Sequence, residues 1–462
     1  MNWPDRDSLH RTAKLLVDSG HASSPEEAMA ILESFVLQVD IGPGIENIPA
    51  AQAGLGTLVN AGHRAFLGGV AVRAEEDPML TEGWAAGRRL STMVAELGGQ
   101  MTQVLSPDIP TIVVGEPTRP SIGRIVLWTT WAGWAGGVVE DPSHRLDGDG
   151  MVLSGVVAGA LGVSEAFQHV LGSSRAGHRD VGLSLWRPDL PWHHPDGTGP
   201  PLNWLPSTLW LLGLGHLGQG YAWSLGWLPY ATPTDVMVFL MDTDIVVDGN
   251  KATGLLLRDA DVDHRKTRVM AARLEDDLGI RTSIVERRFD DTLWPGDDEP
   301  LLALAGFDRP EPRRQLGGQR SGGPRFGRVI DAGLGSGPVE YLDILIHTFP
   351  SQLDPATAFP GHQRHNRSMP AAYTAEIERM VKAGTDIGDA TCGMTQAAGI
   401  SVAAAFVGAM TGAIVIGDVL RHMHSGREIA ILSLDLRSPA YIDAPENTAP
   451  GTYFNPGSTS AR

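Results

Sequence analysis

The residues with the clearest chemical content begin near Gly213. An apolar run, Ser207-Thr-Leu-Trp-Leu-Leu, leads into Gly213-Leu-Gly215-His-Leu-Gly218, a strand entering a GxGxxG turn. Glycines there let the backbone approach phosphate oxygens that a Cβ would push away, and the next helix turns its N-terminal N–H groups toward the same anion. A second apolar run, 235–241, ends in Asp242-Thr-Asp244. A carboxylate at the end of the second strand is placed to accept hydrogen bonds from ribose hydroxyls. Turn and acids together read as a nucleotide-binding Rossmann unit. With 56 glycines in 462 residues the bare motif carries little, so the strand before it and the acids after it carry the reading. These features leave a dinucleotide and ATP both open.

The residues that follow resemble the ThiF family, which includes ubiquitin-activating enzymes and the adenylating enzymes of the molybdopterin and thiamine pathways. Asp242-Thr-Asp244 is followed by Asn250 and, sixteen residues after it, Lys266. Leu302–Asp308 resembles the later strand end whose aspartate holds Mg2+. The run 328–337 resembles the next strand and glycine turn, and Cys392–Leu420 resembles the helix that closes the domain after a thiol-bearing crossover segment. The resemblance runs from Leu202 to Gly426 with its landmarks in order. It implies ATP and Mg2+ as cofactors and the C-terminal carboxylate of a small ubiquitin-like protein or peptide as the group adenylated. Attack of a carboxylate on the α-phosphate builds charge on phosphoryl oxygens. Lys266, and Mg2+ held by Asp308, would neutralise it, with Asn250 on the phosphates and Asp242 or Asp244 on the ribose.

One position departs from the family pattern. An arginine usually stands three residues after the Asn, and here that residue is Thr253; Arg258 and Arg265 are the nearby replacements, Arg258 among the expected catalytic residues. Cys392, the sole cysteine, is expected as a nucleophile that takes the acyl group as a thioester, at the start of an apolar helix where the dipole favours a thiolate. Plainer readings stand beside these: strand-end acids for solvation, a surface lysine, Asp308 as a helix cap before Pro310, and a small buried cysteine. His347, His362 and His365 form no ligand pattern. The rival functions are a nucleotide-binding pseudoenzyme or scaffold, which Thr253 favours, and an NAD-dependent oxidoreductase, which lacks a Tyr-x-x-x-Lys after the turn.

The elements that must position these groups predict an α/β chain: a Rossmann-like adenylation domain with a mostly parallel sheet, preceded by a helical and degenerate α/β region. Residues 1–60 read as a helical segment, with Ser24-Pro25-Glu26-Glu27 as a helix start; 61–177 read as a degenerate Rossmann-like half without a phosphate loop. The Pro- and Trp-rich 178–206 reads as a linker, 207–436 as the adenylation domain, and 437–462 as a loose tail. No internal repeat is visible.

The balance of 36 Lys+Arg against 54 Asp+Glu, net −18, repels nucleic acid, and none is expected as a partner. A lone cysteine excludes an intrachain disulfide and a Cys-rich zinc site. The charged N-terminus has no apolar signal-peptide core, so a cytoplasmic location is expected. Gly393–Gly417 holds no charge but is rich in small residues, which fits a buried helix rather than a membrane span. The family resemblance further implies a dimer, a conjugating enzyme as a partner, and the setting of bacterial ubiquitin-like conjugation and defence operons.

Overall fold

A computed structural model describes residues 7–320, 323–335, 337–359, 371–399, 401–449 and 456–462. Two short helices come first, α1 (Arg11–Asp18) and α2 (Pro25–Ser34). Ser24 caps α2 by accepting from the Glu27 N–H, with Pro25 in the first turn and Glu26 and Glu27 at the positive dipole end. There follow β1 (Val36–Ile41), α3 (Pro49–Ala65), β2 (Gly69–Ala74), α4 (Leu90–Glu96), β3 (Gly99–Met101), β4 (Thr111–Val114), β5 (Val126–Ala132), β6 (Ala135–Val139), α5 (Val152–Val170) and β7 (Val181–Ser184). After β8 (Trp204–Pro206) come β9 (Thr208–Leu212), α6 (His216–Leu225), β10 (Met237–Met241), α7 (Lys266–Leu278), β11 (Arg281–Val285) and β12 (Leu302–Ala305). The chain continues through α8 (Pro310–Arg314), the small hairpin β13 (Gln319–Arg320) and β14 (Gly323–Pro324), β15 (Arg328–Leu334), β16 (Asp343–Phe349) and α9 (Pro355–Ala358). It ends with α10 (Ala371–Lys382), α11 (Ile387–Ala398), α12 (Ala405–Met423), β17 (Ile431–Asp435), β18 (Ile442–Asp443) and β19 (Ser458–Ser460).

The two large sheets repeat one wiring. The first runs β3-β2-β1-β4-β5-β6-β7 and the second β11-β10-β9-β12-β15-β16-β17-β18. In each, the first five strands are parallel and the following ones antiparallel. The fold is thus α/β with mostly parallel sheets, preceded by helices, as expected. The repeat itself was invisible in the sequence, because the first half has Gly42-Pro-Gly44 after β1 where the second has its glycine turn.

Between the sheets lies a layer of four helices, α3 and α5 from the first half and α6 and α12 from the second, all in mutual contact through α12. Glycines set the close approaches. A Cβ on Gly155 of α5 would lie 1.8 Å from the Ala50 carbonyl oxygen, and one on Gly220 of α6 would lie 2.2 Å from that of Gly408 in α12. Across the halves, Trp84 stacks on Trp223 at 5.8 Å and donates its indole N–H to the Trp223 carbonyl. α12 is long and apolar enough to cross a membrane by length and composition, yet 89% of its apolar window is buried in this layer.

Several boundaries differ from expectation. Val36–Ile41 is a strand rather than helix: it is buried on both faces, so it lacks the alternation that marks a half-exposed strand. Helix α4 starts only at Leu90, because Gly83 and Gly87 before it take positive φ. The stretch read as a linker carries β7, a strand of the first sheet, and β8. The tail is held at its end, where β19 pairs with β8.

Candidate active site

The glycine turn stands at the carboxyl edge of β9, the central parallel strand, where the neighbours β10 and β12 also end. Gly213 has φ +86°, in the left-handed region, and a Cβ there would lie 3.1 Å from the Gly306 carbonyl oxygen. A Cβ on Gly218 would lie 2.1 Å from the Gly213 carbonyl oxygen, so that glycine lets α6 fold back on the turn. A Cβ on Gly215 would meet nothing within 4 Å. The turn is therefore closed on its strand side and open at Gly215, a concavity that fits phosphate groups at the N-terminus of α6.

The two acids after β10 divide their work. The Asp242 carboxylate accepts from the Leu214 N–H at 2.7 Å and from the Asp244 N–H at 2.8 Å, so it braces the turn against its own loop. Asp244 is exposed and pairs with Lys266 Nζ at 3.1 Å. The Lys266 backbone N–H donates to the Asp244 carbonyl, and Arg265 donates to the Thr243 carbonyl. Asp242, Asp244, Arg265 and Lys266 thus stand together beside the glycine turn. Asn250 closes a short 3-10 turn, its side-chain oxygen accepting from the Val247 N–H at 3.1 Å. Asp308 is exposed just past β12, next to Gly306 and Phe307, which touch Gly213. Among the described residues no group of three His, Cys, Asp or Glu could hold a metal. One carboxylate at a phosphate site suits Mg2+, which keeps water and phosphate oxygens as its other ligands.

One expected residue is placed elsewhere. Arg258 approaches Asp277 at 3.8 Å, near the far end of α7, roughly 16 Å along the helix from Lys266 at 1.5 Å per residue. It faces a cleft of about 590 Å³ between the halves, lined also by Arg88, Asp259 and Asp277, and does not join the glycine turn. Thr253, at the family's arginine position, is buried. Cys392 is the sixth residue of α11 rather than at a helix start, so the dipole argument for its thiolate fails; its side chain lies outside the described part. His362 and His365 also lie outside the described residues.

Sequence reasoning missed a neighbouring pair. Asp331 of β15 is fully buried and takes a two-pronged bond from Arg313, whose guanidinium lies 4.1 Å over the Phe359 ring. Burial pushes the Asp331 carboxyl up to about 6, with Arg313 opposing. Arg313 follows Asp308 by five residues, the one signal that could have found it. Beside the turn, His216 lies against Gly408, with Nε2 buried and without a hydrogen-bond partner; burial lowers its pKa to about 4. It is neutral at pH 7.

Comparison with known proteins decides the family. Residues 36–185 match the family model described as the BilD N-terminal domain, and 205–426 match that of the BilD C-terminal domain. The bacterial E1-like protein BilD of Collimonas sp. (strain OK412) is 36% identical over 436 residues, 93% of this chain and 91% of that protein. The chain belongs to the BilD family of bacterial E1-like proteins. Solved structures of E. coli MccB are also similar: one matches 71% of this chain and 94% of its own at TM-score 0.35 and 13% identity. The structure of MccB with ATP matches at TM-score 0.33 and 12% identity, over 71% of this chain and 96% of its own. The two BilD matches fall one on each sheet-bearing half, and the second contains the glycine turn, Asp244, Lys266 and Asp308.

Proposed function

We propose that this BilD-family chain adenylates the C-terminal carboxylate of a small ubiquitin-like protein or peptide. The observation that carries the reading is the gathering of Lys266, Asp244 and Arg265 beside an open glycine turn. Cations there answer charge on a triphosphate, for which a hydride-transfer enzyme has no use. Its membership of an E1-like family supports the same reading.

In this account Asp244 accepts from the ribose and Asp242 keeps the turn in shape. Lys266 and Arg265 face the phosphates, Arg265 serving in place of the arginine absent at Thr253, with Asn250 on the same groups. Asp308 is the carboxylate that would hold Mg2+, which supplies further charge neutralisation. A carboxylate oxygen of the substrate attacks the α-phosphorus, the bond to the β-phosphate bridge breaks, and pyrophosphate leaves. Cys392 then attacks the acyl carbon as thiolate, the acyl–oxygen bond breaks, and AMP departs with the electron pair.

Pyrophosphate exchange into ATP, with a small protein ending in Gly-Gly as acyl donor, tests the first step. Exchange should need that protein and Mg2+, and Asp308→Ala should remove this metal-dependent activity without unfolding the chain. A DTT-sensitive adduct lost in Cys392→Ala, with exchange retained, tests the second. Wild-type exchange by both Asp308→Ala and Lys266→Ala would overturn the site; normal product transfer by Cys392→Ala would reduce the thiol to packing.

A further inference from the structure

The segment joining Asn250 to Lys266 runs against α3 of the first half, and its backbone is tied there. Residues Gly254 to Leu257 are in neither helix nor sheet, yet Leu255, Leu256 and Leu257 are buried at 3%, 7% and 5% exposure. Buried carbonyls outside regular structure need donors. For the Gly254, Leu255 and Leu257 carbonyls, side chains of α3 in the first half are donors. Asn60 Nδ2, on a residue 1% exposed, donates to the Leu255 carbonyl at 2.9 Å. Arg64 spreads its planar fork over two more, Nε to the Gly254 carbonyl at 3.0 Å and a terminal nitrogen to that of Leu257 at 2.9 Å. The second half ties Leu256 on both sides: Arg273 Nε of α7 donates to its carbonyl at 3.2 Å, and its N–H donates to Gln219 Oε1 at 3.1 Å, with Gln219 one residue past Gly218. Upstream, the Thr253 and Gly254 N–H groups both donate to the Asn250 carbonyl, so Asn250 and the tied segment form one unit.

We infer that Asn60 and Arg64 are positioning residues for the nucleotide site, through which the first half, which has no GxGxxG turn of its own, fixes Asn250 and the glycine turn for ATP. The inference rests on the ATP-binding reading above. Arg64 is suited to the task because one guanidinium reaches two carbonyls three residues apart in a fixed geometry, which a lysine ammonium does not reproduce. The clamp acts on the backbone of the segment and touches no substrate.

The test compares full-length wild type, Arg64→Lys, Asn60→Ser and Thr57→Val. Thr57 lies on the same helix and accepts from the Trp223 indole at 3.1 Å, so its variant perturbs the same inter-half contact without touching 254–257. Mg·ATP affinity is read by calorimetry, and amide hydrogen exchange over 250–262 is read without nucleotide. Arg64→Lys should weaken ATP about tenfold and speed exchange of these amides, Asn60→Ser should do so by less, and Thr57→Val should lower Tm with ATP affinity within twofold of wild type. Affinity and exchange unchanged in Arg64→Lys and Asn60→Ser overturn the inference, as does an equal loss of affinity in Thr57→Val, which would make the effect one of general stability. Should Arg64→Lys not fold, the Asn60→Ser and Thr57→Val pair decides alone. Wild type that binds no ATP refutes the nucleotide reading instead, a distinct result.

Discussion

Lys266 Nζ stands 3.1 Å from Asp244 Oδ2, the lysine side chain 10% exposed and the aspartate 66%. A cation whose stem is packed and whose head meets an open carboxylate is held in place while still able to turn toward an arriving anion. The partly exposed pair contributes about 0–1 kcal/mol to folding. Lys266→Ala should therefore cost little in Tm, while lowering pyrophosphate exchange on the order of 100-fold, the usual loss for a preorganised group facing developing charge. Exchange and melting measured on one preparation separate the two effects.

The glycines of the turn separate folding from binding. Gly218→Ala sets a Cβ 2.1 Å from a backbone oxygen, an overlap that no rotamer relieves, and should cost about 1–3 kcal/mol. Gly215→Ala meets nothing within 4 Å, so its Tm should fall far less than that of Gly218→Ala. Its methyl nonetheless occupies the concavity proposed for the phosphates, and ATP affinity should fall at least tenfold. Equal ATP binding by Gly215→Ala and wild type would place the phosphates elsewhere.

Acid should loosen the protein through His216. Its folded pKa of about 4 lies below the ordinary value of 6.5, because burial disfavours the imidazolium. The unfolded chain then binds the proton first, so this stability is complete above pH 6.5 and is lost as pH falls toward 4, at no more than about 1.4 kcal/mol per pH unit. His10 and His347, also lowered to about 4 by burial, act in the same direction. In a Tm–pH series, His216→Asn should show a shallower fall across this window than wild type, with the two parallel above pH 7.

The strand, turn and acid around Gly213 were legible because their chemistry is local: close approach demands glycine and strand ends carry the acids. The α2 start was legible for the same reason, since its cap lies within four residues. What failed to show was whatever depends on direction or on distant chain. Arg258 and Arg265 are alike in sequence, but one turns to Asp277 and the other to the Thr243 carbonyl. Val36–Ile41 carries no alternation because both of its faces are covered. Asn60 and Arg64 act on carbonyls about 190 residues away, a link no local pattern announces. The shared wiring of the two sheets survives without a shared glycine turn.

The turn and its cations are proposed to receive ATP for adenylation. Thermal unfolding of the full chain with Mg·ATP, with NAD+, and without nucleotide tests it most directly, because a ligand selective for the native state raises Tm in proportion to its affinity. A clear rise with Mg·ATP that is lost in Lys266→Ala, and no rise with NAD+, is the expected result. A larger rise with NAD+ than with Mg·ATP would contradict it.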